Sequence, residues 1–166
     1  MPRAAADNQT TRTLLLVDAG AVAGWRRATP SLGQLHQALL HLRAQHPELE
    51  VAVVGDPSLK HQLPAVEQPD FDADVSLGII VCAPAGTVGG TEGFFATVAE
   101  RAERDGAAVL VVTDRALPFG RLVRLQRDGG RWGFDLIGAS AAAPGAIAAP
   151  AKARRRRRPA TAARDA

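Results

Sequence analysis

Three short apolar runs, each closed by an acid, constrain what this chain can fold into more than any other feature. Leu14, Leu15, Leu16 and Val17 lead into Asp18; Val51, Ala52, Val53 and Val54 lead into Gly55 and Asp56; Val109, Leu110, Val111, Val112 and Thr113 lead into Asp114. Uninterrupted apolar runs of this length read as strands covered on both faces, the habit of parallel sheets in α/β domains. Parallel strands end at one rim, where open α/β folds place their ligand sites. Asp18, Asp56 and Asp114, with Glu92 at the start of a helix, are thereby expected to gather there. Gathered carboxylates repel one another and call for a hard cation, Mg²⁺ or Mn²⁺, whose usual work at an open site is phosphate chemistry.

The remaining segments fit between these strands. Ser31 can cap a helix in which Leu32, Leu35, Leu39 and Leu42 recur at helical spacing, and Pro47 ends it. Ile79, Ile80, Val81 and Cys82 read as a third strand, followed by a Gly/Pro-rich loop at residues 83–90. A helix is expected from Thr91, with Phe94, Phe95, Val98 and Ala102 near one face and Gly106 just past its end. Residues 121–127 suit a helix or an edge strand, Asp128-Gly129-Gly130 is a turn, and residues 132–137 read as a returning strand. Residues 57–77 carry no clear period. The expected fold is an α/β, Rossmann-like three-layer sandwich with a mostly parallel central sheet of about five strands.

Charge divides the chain. Its formal net charge is +3, yet the segment after Ser140 holds seven basic residues against the single acid Asp165, so the body before it is acidic. Residues 1–12 read as a flexible leader, residues 13–140 as the α/β domain, and residues 141–166, poor in large apolar side chains, as a disordered basic tail. The run Arg154, Arg155, Arg156, Arg157 and Arg158 can neutralise several phosphates and attract RNA without reading sequence, or serve simply as a solubilising tail. No apolar stretch nears the roughly 20 residues of a membrane helix, and the start lacks the apolar core of a secretory signal. With one cysteine, Cys82, expected as a buried inert thiol, the composition suits a reducing cytoplasm. His36, His41, His46 and His61 have no metal-ligand spacing and read as solvated residues. Trp25 and Trp132 read as packing residues. Gly86, Gly89 and Gly90 lack the Lys-Ser/Thr that a P-loop requires.

The segments LLLVDAGAV from Leu14, VGGTEGFF from Val88 and VVTDR from Val111 resemble the three signature regions of PIN-like nucleases, closest in flavour to the NYN branch that includes Regnase-type ribonucleases and bacterial YacP-like proteins. The resemblance covers roughly residues 13–140 and extends to the last strand and the small residues at 137–140. It implies a Rossmann-like sheet with an acidic rim that binds Mg²⁺ and cleaves RNA. Position by position, Asp18 matches the first-strand aspartate, Glu92 the second of a pair of acids opening the helix after the glycine-rich loop, and Asp114 the acidic region after the fourth strand. Thr91 stands where the first acid of that pair would be, and Ala21 where many relatives carry asparagine. The resemblance thus implies Asp18, Glu92 and Asp114 as metal ligands and catalytic residues. A catalytically weakened or inactive nucleic-acid- or protein-binding module is the alternative, and hydrolysis of a small phosphate compound a third reading.

Overall fold

The computed structural model describes residues 12–136. Five strands build the central sheet: β1 (Thr13–Asp18), β2 (Glu50–Gly55), β3 (Val81–Cys82), β4 (Ala108–Val112) and β5 (Arg121–Leu122). Their spatial order is β3-β2-β1-β4-β5 and every pairing is parallel. The fold class read from the sequence is therefore found, with the sheet wholly parallel. Among the described residues, no helix is long and apolar enough to cross a membrane.

Alternation along the strands explains the layers. Leu15 and Val17 of β1, Val53 of β2, and Leu110 and Val112 of β4 point into one core, while Leu14, Leu16, Val54, Val109 and Val111 point into the other. Side chains two apart in a strand share a face, so a run that is apolar throughout supplies both cores at once. The first core is covered by α1 (Ala19–Ala23), α2 (Leu32–Gln45), α3 (Leu59–Gln62) and α4 (Gln68–Ser76), and the second by α5 (Gly90–Arg104) through Phe95 and Ala99.

Caps set the helix starts. Ser31 caps α2 through its hydroxyl, which accepts from the Gln34 amide, and Glu67 adds a second acceptor for the Leu32 amide at 2.7 Å. Residues 57–77, without period in the sequence, form the two short helices α3 and α4. The third strand is shorter than the apolar run suggested. The amides of Ile79 and Ile80 both donate to the Asp74 carbonyl, which leaves only Val81 and Cys82 free to pair with β2.

The returning strand does not join the central sheet. β6 (Arg124–Asp128) and β7 (Arg131–Asp135) form a separate antiparallel hairpin, turned by Gly129 and Gly130, both at positive φ. That backbone suits the tight two-residue turns that match strand twist. The hairpin packs on α2 through Trp132, which is fully buried and touches Trp25 at 5.1 Å between ring centroids. Of the histidines expected in solvent, His41 meets the hairpin, its Nδ1 accepting from the Trp132 amide at 3.0 Å, while His36 is exposed with its Nε2 2.6 Å from Asp74 of α4. Cys82 is half-buried rather than buried, and burial pushes its thiol up. The basic run Arg154 to Arg158, Ile137 and the proposed domain limit at residue 140 lie outside the described residues.

Candidate functional site

Strand register places the acids. Asp18 ends β1 level with Val54 of β2, and Val17 is level with Val112 of β4, so Thr113 lies beside Asp18 and Asp114 one residue beyond. Asp56 follows Gly55 at the end of β2. Asp18, Asp56 and Asp114 line one cleft of about 410 Å³ at the carboxyl rim of the sheet, together with Ala21, Ser58 and Arg115. Three strand-end carboxylates thus share one cavity because three neighbouring strands run in one direction.

Asp18 is only 4% exposed. One of its oxygens accepts from the Gly20 and Ala21 amides at 3.0 and 3.2 Å, capping α1, and the other accepts from the Thr113 hydroxyl at 3.0 Å. Burial nevertheless wins: desolvation raises the Asp18 carboxyl above its ordinary value, against the lowering effect of those hydrogen bonds and of Arg115. A buried carboxylate short of compensating charge is the kind of group that a cation relieves.

Asp56 is set differently. Its oxygens accept from the Ser58 amide and from the Thr91 hydroxyl, each at 2.8 Å, and Ser58 and Thr91 hold its carboxyl below the usual range. Thr91, where the resemblance leads one to look for an acid, is itself buried and spends its hydroxyl on Asp56.

Glu92 stands apart from the cleft lining, exposed on the first turn of α5. Arg115 connects it to the site. Its guanidinium lies 3.8 Å from Asp18 and 3.7 Å from Glu92, ion-pair rather than hydrogen-bond distances. A protein cation therefore sits between two of the acids named from the sequence.

In kind, the donors suit a hard divalent ion: carboxylate oxygens, one of them buried, facing an open cleft. In position, among the described residues, no three His, Cys, Asp or Glu side chains stand close enough together to hold one. Asp56, named from the sequence as a strand-end acid but without a match in the PIN-like resemblance, stands after β2 as Asp18 stands after β1. One member of the site escapes the sequence reading. Arg115 drew no attention, although a lone cation beside strand-end acids was a signal.

No protein-family model and no curated protein matches the chain. Among solved structures, the fold is similar to that of the crystal structure of nuclear proteinaceous RNase P 2 (PRORP2) from A. thaliana, with a TM-score of 0.53 at 11% sequence identity. The superposition covers 72% of this chain and 29% of that one, so the chain spans under a third of its neighbour's length. At such identity the likeness shows the fold.

Proposed function

We propose that this chain is a ribonuclease of PIN-like, NYN type, hydrolysing RNA phosphodiester bonds with Mg²⁺ or Mn²⁺ held by strand-end carboxylates. The observation that carries this reading is that Asp18, Asp56 and Asp114 all line one cleft at the carboxyl rim of a parallel sheet. The fold likeness to a proteinaceous RNase P supports it, as do the three sequence regions that carry the PIN-like resemblance.

Asp18 and Asp114 would hold the ion, with Asp56, whose oxygens accept from Ser58 and Thr91, and Glu92 at the margin of the site. The chemistry that such an ion supplies when bound is neutralisation of the scissile phosphate and activation of water. The remaining roles belong to side chains. Thr113 and the Gly20 and Ala21 amides fix the direction of the Asp18 carboxylate, so its free lone pairs point where the fold sends them. Ser58 and Thr91 keep Asp56 ionised. Arg115, already drawn toward Asp18 and Glu92, is placed to pair with a phosphate oxygen once RNA enters. Arg154 to Arg158 would raise the local concentration of RNA by steering it toward an otherwise acidic domain.

Cleavage of single-stranded RNA with Mg²⁺ or Mn²⁺ tests the proposal. Wild-type protein should cut and the Asp18→Asn variant should fall to background while keeping its fold by circular dichroism; equal cutting by both removes the mechanism. A second reading, an RNA-binding module without cleavage, is favoured by one observation: Arg115 occupies the space between Asp18 and Glu92, and among the described residues no three acids stand close enough together to hold an ion. It predicts RNA binding with no cutting in any divalent ion.

A further inference from the structure

The acidic cleft does not end at Asp114. It adjoins a trough of about 270 Å³ through the shared residues Ala21 and Asp114, and the trough has an apolar floor that includes Trp25, Leu122 and Leu125. Trp25 in turn borders a third cleft, of about 490 Å³, whose other walls include Arg26, Arg27 and Arg127 and the hairpin turn at Gly129 and Gly130. Three cavities thus meet end to end, acidic, then apolar, then basic.

The basic end is built, not incidental. Arg26 stands over the Trp25 ring at 4.5 Å and Arg127 over the Trp132 ring at 5.2 Å, so aromatic faces hold both guanidinium planes. Arg26 takes φ 53°, the left-handed region that a non-glycine residue adopts only under constraint from its surroundings. Among the described residues none of these three arginines is paired with a carboxylate. Three unneutralised guanidinium groups from two separate elements, the α1–α2 loop and the β6–β7 hairpin, face one cleft in a domain whose body is acidic.

We infer that this track is the seat of a single RNA strand, whose phosphates pair with Arg26, Arg27 and Arg127 while a base lies on the apolar trough beside Trp25 and the next phosphodiester reaches Asp18, Asp56 and Asp114. Charge complementarity selects a polyanion, and the apolar middle selects one with unpaired bases, since duplex bases offer no faces to stack. The inference takes RNA, rather than another strand, from the ribonuclease reading; the binding track itself does not depend on cleavage.

The test is fluorescence anisotropy of a labelled single-stranded RNA of about a dozen nucleotides, titrated with full-length protein in EDTA over a range of salt. Replacing Arg26, Arg27 and Arg127 together by Ala should weaken binding about tenfold or more. It should also flatten the slope of log K against log salt by about 2, given about 0.7 per phosphate contact on a single strand. The basic tail is present in both proteins, so it cancels from the difference. The same three positions changed to Lys should recover most of the slope, which a merely structural role would not predict. Unchanged affinity and slope in the Ala variant overturn the inference, whether or not the wild-type protein cuts RNA, and point to a protein partner for the basic cleft. Loss of binding in that variant together with wild-type inability to cut in Mg²⁺ or Mn²⁺ upholds the track and removes the nuclease instead.

Discussion

Asp18 shows how one carboxylate can be both well bonded and electrostatically costly. Three donors reach it, yet burial raises its carboxyl above the ordinary value. Between the ordinary carboxylate range and that raised value, the folded chain keeps a proton that the unfolded chain releases, so stability falls as pH rises through this window. Asn carries no charge at any pH, and its amide can donate to the Thr113 hydroxyl. Asp18→Asn should therefore be at least as stable as wild type at pH 7, with the advantage shrinking as acid protonates Asp18. Calorimetric melting of both proteins between pH 4 and 8 checks this; an advantage that grows in acid contradicts it. Asp18 and Asp114 were legible as strand-end acids because an unbroken apolar run announces where its strand stops. Asp56 was legible in the same way as a strand-end acid, but its bonds to Ser58 and Thr91 were not, because Thr91 lies 35 residues away on a helix that only the fold brings near. Arg115 acts across 23 residues, toward a helix whose position only the fold determines.

At the level of elements, α1 is five residues long and cannot stand alone. Asp18 satisfies its first amides, and the far end depends on Gln34 of α2, whose buried amide nitrogen donates to the carbonyls of Val22, Ala23 and Trp25 at 2.9, 3.3 and 3.0 Å. Gln34→Leu keeps bulk but strands these acceptors, and should cost about 2 kcal/mol in urea unfolding. A loss below about 0.5 kcal/mol would mean that water replaces the side chain. The long elements were readable from pattern: α2 from its leucines and cap, α5 from its apolar face, β1, β2 and β4 from unbroken apolar runs. The short ones were not. α3 and α4 draw their order from contacts with α2 and with each other, as in the Glu67 bonds to Ser31 and Leu32. β3 was cut short by amides turned back to Asp74, a choice that no propensity records.

Across the whole molecule, the hairpin stands outside the central sheet and is joined to it through the first core, where Trp132 and Phe134 are buried. β6 and β7 pair with each other and not with the central sheet, and Trp132 fills the seam against α2 while Gln45 and His41 bond its backbone. Its sequence read as one more strand because β-strand chemistry states that a segment will pair, not with which neighbour. Trp132→Ala should cost about 3–5 kcal/mol and release the hairpin first, seen as fast hydrogen exchange at residues 124–135 while β1 and β4 stay protected; uniform exchange across all strands would show a joint less local than this. The joint also has an optical consequence. The chain's two tryptophans are the pair in contact, with rings tilted by 57°. Their coupled transitions make the circular dichroism couplet of the indoles a built-in gauge of whether the hairpin is docked, readable without any label.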